Sequence, residues 1–125
     1  MSREPFEYAV VRVRPRIDRA EFVNAGVVVY CQNADYLCAL TSAEEARWVA
    51  LDPGVDVAGV RAALAAYSDT CTGAVGPAGA EMSRGQRFRW LTAPRSTVVH
   101  SGPVHTGLTS DADADLHRLF ALLVG

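Results

Sequence analysis

Residues 7–31 read EYAVVRVRPRIDRAEFVNAGVVVYC, and the spacing of apolar groups in this stretch decides the fold. Over Glu7–Arg14 the side chains alternate, with Tyr8, Val10, Arg12 and Arg14 on one face of a strand and Ala9, Val11 and Val13 on the other. Pro15 ends that strand. Residues Glu21–Cys31, rich in valine and aromatics, read as a second and more buried strand. Asn24 and Gly26 interrupt it, and a strand-interior glycine marks a bulge or a close backbone approach. Asn33-Ala34-Asp35 is turn chemistry, so Tyr36–Leu40 follows as a third strand of an antiparallel meander.

The period then changes to a helical one. Ser42 and Glu45 have capping-box spacing for a short helix ending near Asp52-Pro53. Val57, Val60, Leu64, Tyr67 and Cys71 recur at offsets of three and four, the stripe of a second helix that stops at Gly73. Gly73–Gly85 lacks periodicity and reads as the long, most mobile loop. Arg87–Leu91 alternates and predicts a strand with Phe88 and Trp90 in the core and Arg87 and Arg89 outside. Ser96–Ser101 predicts another, with Pro103 barring an interior strand position soon after. A final helix capped by Thr109 or Ser110 carries Asp111, Asp113 and Asp115 in its first turn and buries Leu116, Leu119, Phe120 and Leu123. The order βββ-αα-ββ-α predicts an α+β fold: an antiparallel sheet of about five strands covered on one face by helices, in a single domain spanning 1–125.

Composition limits the function classes. The chain has 125 residues, half of them hydrophobic, enough to close a core unaided. Twelve basic residues, all arginine, stand against 14 acidic ones, and a net charge of −2 argues against a general polyanion-coating protein. Cys31, Cys38 and Cys71 are odd in number and lack metal or redox spacing, so free thiols are expected. The N-terminal residues do not read as a signal peptide and no apolar run is long enough to cross a membrane, so a cytoplasmic protein without a membrane role is expected.

The segment 87–107, RFRWLTAPRSTVVHSGPVHTG, concentrates groups that bind anions or move protons. Were its first strand a neighbour of Glu7–Arg14, then Arg12, Arg14, Arg87 and Arg89 would converge on one sheet face as a bidentate anion attractor; the alternative is that each pairs with a nearby Asp or Glu on a solvated face. Asn24 either holds the Arg95–Thr97 turn, touches a ligand, or satisfies a backbone group at a bulge. Ser96 and Thr97 lack an adjacent base and read as turn hydroxyls. His100 and His105 flank a tight turn, and a histidine pair can give and take protons, but the resemblance to two-histidine phosphoesterases is poor because only His105-Thr106 follows the motif. No metal-ligand spacing and no cofactor loop is present.

The stretches EYAVVRVRPRIDRAEFVNAGVVVYCQ, ALAAYSDTC and RFRWLTAPRSTVVHSGPVHTGL together resemble the bacterial family known as domain of unknown function 3037. The resemblance spans nearly the whole chain and keeps Asn24, Gly26, Arg95, Ser96, Thr97, His105 and Thr106 of the family's pattern. It implies no established activity. It does imply a partner, a kinase similar to the HipA toxins. The reading that follows is a non-catalytic module using Arg12, Arg14, Arg87, Arg89 and Arg95 for a phosphate-bearing ligand or an acidic partner surface. The rivals are a phosphoesterase or nuclease with His105 as acid or base and Arg95 stabilising charge, and a nucleic-acid-binding module with Trp90 or Tyr8 stacking on bases.

Overall fold

Strands β1 (Glu4–Val13), β2 (Val23–Cys31) and β3 (Tyr36–Thr41) form the expected antiparallel meander. In the computed structural model, which describes residues 2–73 and 81–125, the remaining elements are α1 (Glu45–Leu51), α2 (Val57–Thr72), α3 (Arg84–Thr92), β4 (Val99–Ser101), β5 (His105–Thr109) and α4 (Ala112–Leu123). The sheet runs β3-β2-β1-β4, and β5 also pairs with β1. Both short strands lie along the same edge of β1, β4 against Val11–Val13 and β5 against Glu4–Tyr8. They amount to one strand broken at Pro103, which has no N–H to give, while Gly102 still donates to the Val10 carbonyl at 2.8 Å. The α+β class and the antiparallel sheet of five strands are therefore as read from the sequence.

Several features differ from expectation. Residues 87–91 lie in helix α3, so the last two strands are β4 and β5, and the order is βββ-ααα-ββ-α. The deciding signal is a capping box just upstream: the Ser83 side chain accepts from the Gln86 amide, and the Gln86 side chain accepts from the Ser83 amide. Phe88 and Leu91, three apart, are the buried pair of this helix, and Trp90 is 52% exposed rather than in the core. At α1 the anticipated cap is absent. The Ser42 amide instead bonds the Ala25 carbonyl and prolongs the β3–β2 ladder, and the helix starts at Glu45 without a side-chain cap. Helix α4 is capped by Asp111, which accepts from the Ala114 amide, and not by Thr109 or Ser110 as expected. Residues 74–80 of the expected Gly73–Gly85 loop lie outside the described residues.

Helices cover both faces of the sheet rather than one. Ala9, Val11 and Val13 of β1 pack with Val28, Trp48, Leu64, Tyr67, Phe88 and Leu91 beneath α1, α2 and α3. Phe6, Val27, Val29 and Cys31 alternate with them and pack against Leu116 and Leu119 of α4. A three-layer arrangement follows directly from β2 being apolar on both faces, as buried central strands are. Register between β1 and β2 slips where Val11 faces Gly26 but Arg12 faces Asn24, leaving Ala25 as the extra residue of a bulge. Beyond the bulge Ala25 joins the α2 side, and Asn24 points to the α4 side, where its amide donates to the Leu123 carbonyl at 3.0 Å.

Candidate functional site

The bulge fixes what stands beside Arg12. Across the sheet Asn24, Arg12 and His100 are register partners, so their side chains share the α4 face at the end of the sheet where α4 terminates. Arg14, two residues on from Arg12, shares the same parity, and its amide bonds the Val98 carbonyl at 2.7 Å. The Arg12 guanidinium lies with its carbon 4.3 Å above the Phe22 ring. On its other side is Gly102, where an added Cβ would sit 2.8 Å from that carbon, so only a glycine lets the guanidinium lie in this slot. Among the described residues neither Arg12 nor Arg14 forms a salt bridge, and the Nε atoms of both are buried without a hydrogen-bond partner.

His100 completes this cluster. Its Nδ1 lies 3.2 Å from the Thr97 carbonyl, which requires the proton on Nδ1 and leaves Nε2 as the variable position. Burial, then the positive charges of Arg14 and Arg12, hold this imidazole below its usual range, against a smaller upward pull from the Thr97 and Val98 carbonyls. The consequence for stability has a definite sign. Because the folded pKa is depressed below the unfolded value of about 6.5, the folded protein binds fewer protons, and stability is lost as pH falls from that value through the folded one. In anion-poor buffer, urea unfolding of wild type at pH 5.5 against pH 7.5 should therefore show a larger loss than His100→Gln; equal losses would assign the acid sensitivity to other groups.

The other candidate residues are placed elsewhere. Arg89 makes a two-point pair with Glu7, Nη1–Oε2 2.7 Å and Nη2–Oε1 2.8 Å, on the α3 side of the sheet. Arg95 donates to the Trp90 carbonyl at the end of α3 and lies 4.9 Å over the Trp90 ring. Arg87 is half-buried on α3, close enough to Cys71 to act on it; burial nevertheless pushes that thiol up to about 12. The expected convergence of four strand arginines thus fails for a geometric reason: Arg87 and Arg89 are on a helix over the opposite face. Ser96 is exposed, and Thr97 donates to the Val99 carbonyl at 2.7 Å. His105 is exposed on β5 with its ring 5.2 Å from Tyr8, on the α4 face, whereas Arg95 lines a small pocket with Tyr67 and Trp90 on the α2–α3 face. Thr106 opens on the Glu7 side, beside Tyr30 and Gln32. His105 and Tyr8 lie four β1 positions from Arg12, about 13 Å at the rise of a strand.

The sequence pairs His100 only with His105 and gives Phe22 and Gly102 no part in a site. The signal for His100 was its position on a strand that pairs with Arg12, which a single sequence does not disclose. An apolar cavity of about 480 Å³ lies on the other face between the start of α2 and Val98–Val99; the carboxylates lining it, Asp52 and Asp56, accept from the Gly54 and Gly59 amides. Among the described residues no group of three or more His, Cys, Asp or Glu is placed to hold a metal, and no helix is long and apolar enough to cross a membrane.

No curated protein and no solved structure matches the chain significantly. A family model described as protein of unknown function (DUF3037) matches residues 8–124, from the middle of β1 to the end of α4, including every residue of the cluster just described. The chain belongs to that family.

Proposed function

We propose that this protein is a cytoplasmic, non-catalytic binding module that engages an anionic group, on a ligand or on a HipA-like kinase partner, through Arg12 and Arg14. The observation that carries the reading is the pair of half-buried guanidiniums on one face, without carboxylate partners among the described residues, in a chain whose Arg16, Arg19, Arg47, Arg61, Arg89 and Arg118 are all ion-paired. Arginine is suited to this task because its planar fork presents fixed, weakly hydrated donors to carboxylate and phosphate. The slot between Phe22 and Gly102 further holds the Arg12 fork in place before any ligand arrives, which lowers the ordering cost of binding.

Co-purification with a HipA-like kinase tests the proposal. A complex should form at micromolar concentration and weaken by at least ~100-fold in the Arg12→Glu/Arg14→Glu double variant, since each charge-assisted hydrogen bond lost is worth about 1.5–3 kcal/mol. Gly102→Ala, which displaces Arg12 without touching a charge, should weaken it to a smaller extent. Absence of a complex, or indifference to both variants, discards the reading.

A second reading rests on the exposure of Trp90, which offers a ring for base stacking already paired with Arg95 on one side. Titration with oligothymidylate should then quench Trp90 fluorescence, with an affinity that falls steeply as salt rises. No quenching at low salt removes it.

A further inference from the structure

We infer that the Arg12–Arg14–His100 cluster binds a tetrahedral dianion of the phosphate type and takes up a proton at His100 as it does so. The inference rests on Arg12 and Arg14 being the anion-binding groups, and it adds the ligand's shape, its charge and a third binding residue.

The donor count favours a tetrahedral ligand. A carboxylate has two oxygens and is satisfied by a single arginine fork, whereas two guanidiniums and an imidazole from adjacent strands match an anion with three or more oxygens around one centre. Arg12 is clamped between Phe22 and Gly102, and Arg14 stands next along the same strand face. His100 is the register partner of Arg12 across the β1–β4 pair, and the Thr97 carbonyl fixes its Nδ1–H, so the second ring nitrogen is the one left to face a ligand. A neutral imidazole in that tautomer offers only a lone pair there, which repels an anion. Protonation turns it into a donor. The charged groups acting on the ring are Arg14 and Arg12, with the Thr97 and Val98 carbonyls as the backbone groups in contact. With both arginines unpaired, their charge opposes protonation; a bound dianion offsets it, and the proton and the anion then assist each other's binding.

Sulfate is the probe of choice, because it stays a dianion across the pH range in which histidine titrates. Carbon-bound imidazole protons of the three histidines are followed by NMR in the full chain, with His100→Gln assigning the His100 signal. Saturating sulfate should raise the His100 titration midpoint by about one unit, and sulfate should correspondingly bind about fivefold tighter at pH 5.5 than at pH 7.5. His105 and His117 should not move. His100→Gln should abolish the pH dependence, while Arg14→Gln should weaken binding at both pH values by about tenfold. At pH 7.5, tighter binding of O-phosphoserine than of inorganic phosphate assigns the site to a phosphate monoester, and the reverse order to the free ion. No saturable sulfate binding at pH 5.5, or a pH dependence unchanged in His100→Gln, overturns the inference. Should the double glutamate variant still abolish the partner complex in that case, the anionic-partner reading survives without the phosphate site.

Discussion

Phe88→Ala lowers the unfolding free energy by about 3–5 kcal/mol, whereas Trp90→Ala costs within about 1 kcal/mol. The contrast follows from α3 being a helix. At 100° per residue, positions 88 and 90 point to opposite sides; Phe88 is fully buried, stacked on Tyr30 with ring centroids 5.4 Å apart, while Trp90 stays half in solvent. On a strand the two would share a face and a cost. Truncating Phe88 removes a ring from the junction of α2, α3 and the sheet, a cavity that the flanking strands are too rigidly paired to close. A loss of that size is a large share of the 5–15 kcal/mol that domains possess, so the melting temperature should fall by roughly 10 °C or more. Thermal and urea unfolding of both variants, measured side by side, decide the matter: equal penalties would restore the strand reading of 87–91.

That reading went astray for a physical reason. Arg87-Phe88-Arg89-Trp90 alternates, but Leu91 breaks the pattern, and so short a run is also met by a helix that buries Phe88 and Leu91, three apart, and leaves Arg89 and Trp90 exposed. The capping box formed by Ser83, within the expected loop, and Gln86, just beyond it, separates the two. Where the apolar pattern was longer or denser, the sequence was sufficient: the three-strand meander, the α2 stripe Val60, Leu64, Tyr67 and Cys71, and the α4 stripe are as expected. The placing of α4 on the second face was legible in principle, because Val27 to Val29 is apolar at both parities and one layer of helices leaves half of it uncovered.

The candidate site was legible only in part. The strand face singles out Arg12 and Arg14, and their lack of carboxylate partners among the described residues is a tertiary fact. Arg89 illustrates the limit: Glu7 lies 82 residues away, and nothing local announces that the two form a bidentate pair. Likewise His100 enters the cluster through the pairing of β4 with β1. The interruption at Gly102-Pro103 permits that pairing while letting the chain continue to β5 on the same edge.

Gly26→Val should be nearly as damaging as the loss of Phe88, at about 3 kcal/mol, the upper part of the range for overpacking, although it adds atoms instead of removing them. An ideal Cβ at this position sits 2.7 Å from the Leu40 carbonyl oxygen and 3.0 Å from the Thr41 methyl, with the Val11 Cβ at 3.3 Å on the other side. The nearest of these is backbone of the neighbouring strand, so relief requires β3 to move away from β2 rather than a side chain to rotate. Gly26→Ala should already cost part of the penalty for the same reason. The position also adjoins the bulge at Ala25, on which the placing of Asn24 on the α4 face and opposite Arg12 depends. A strand displaced there carries Asn24 off the Leu123 carbonyl and disturbs the row Asn24–Arg12–His100. Gly26→Ala, if it remains folded, should therefore weaken sulfate binding although residue 26 faces the other side of the sheet. Hydrogen exchange at the β2–β3 amides and sulfate titration of the same variant check the two halves separately: protected amides with unchanged stability would mean that β3 accommodates the methyl, and the close approach would then have no energetic role.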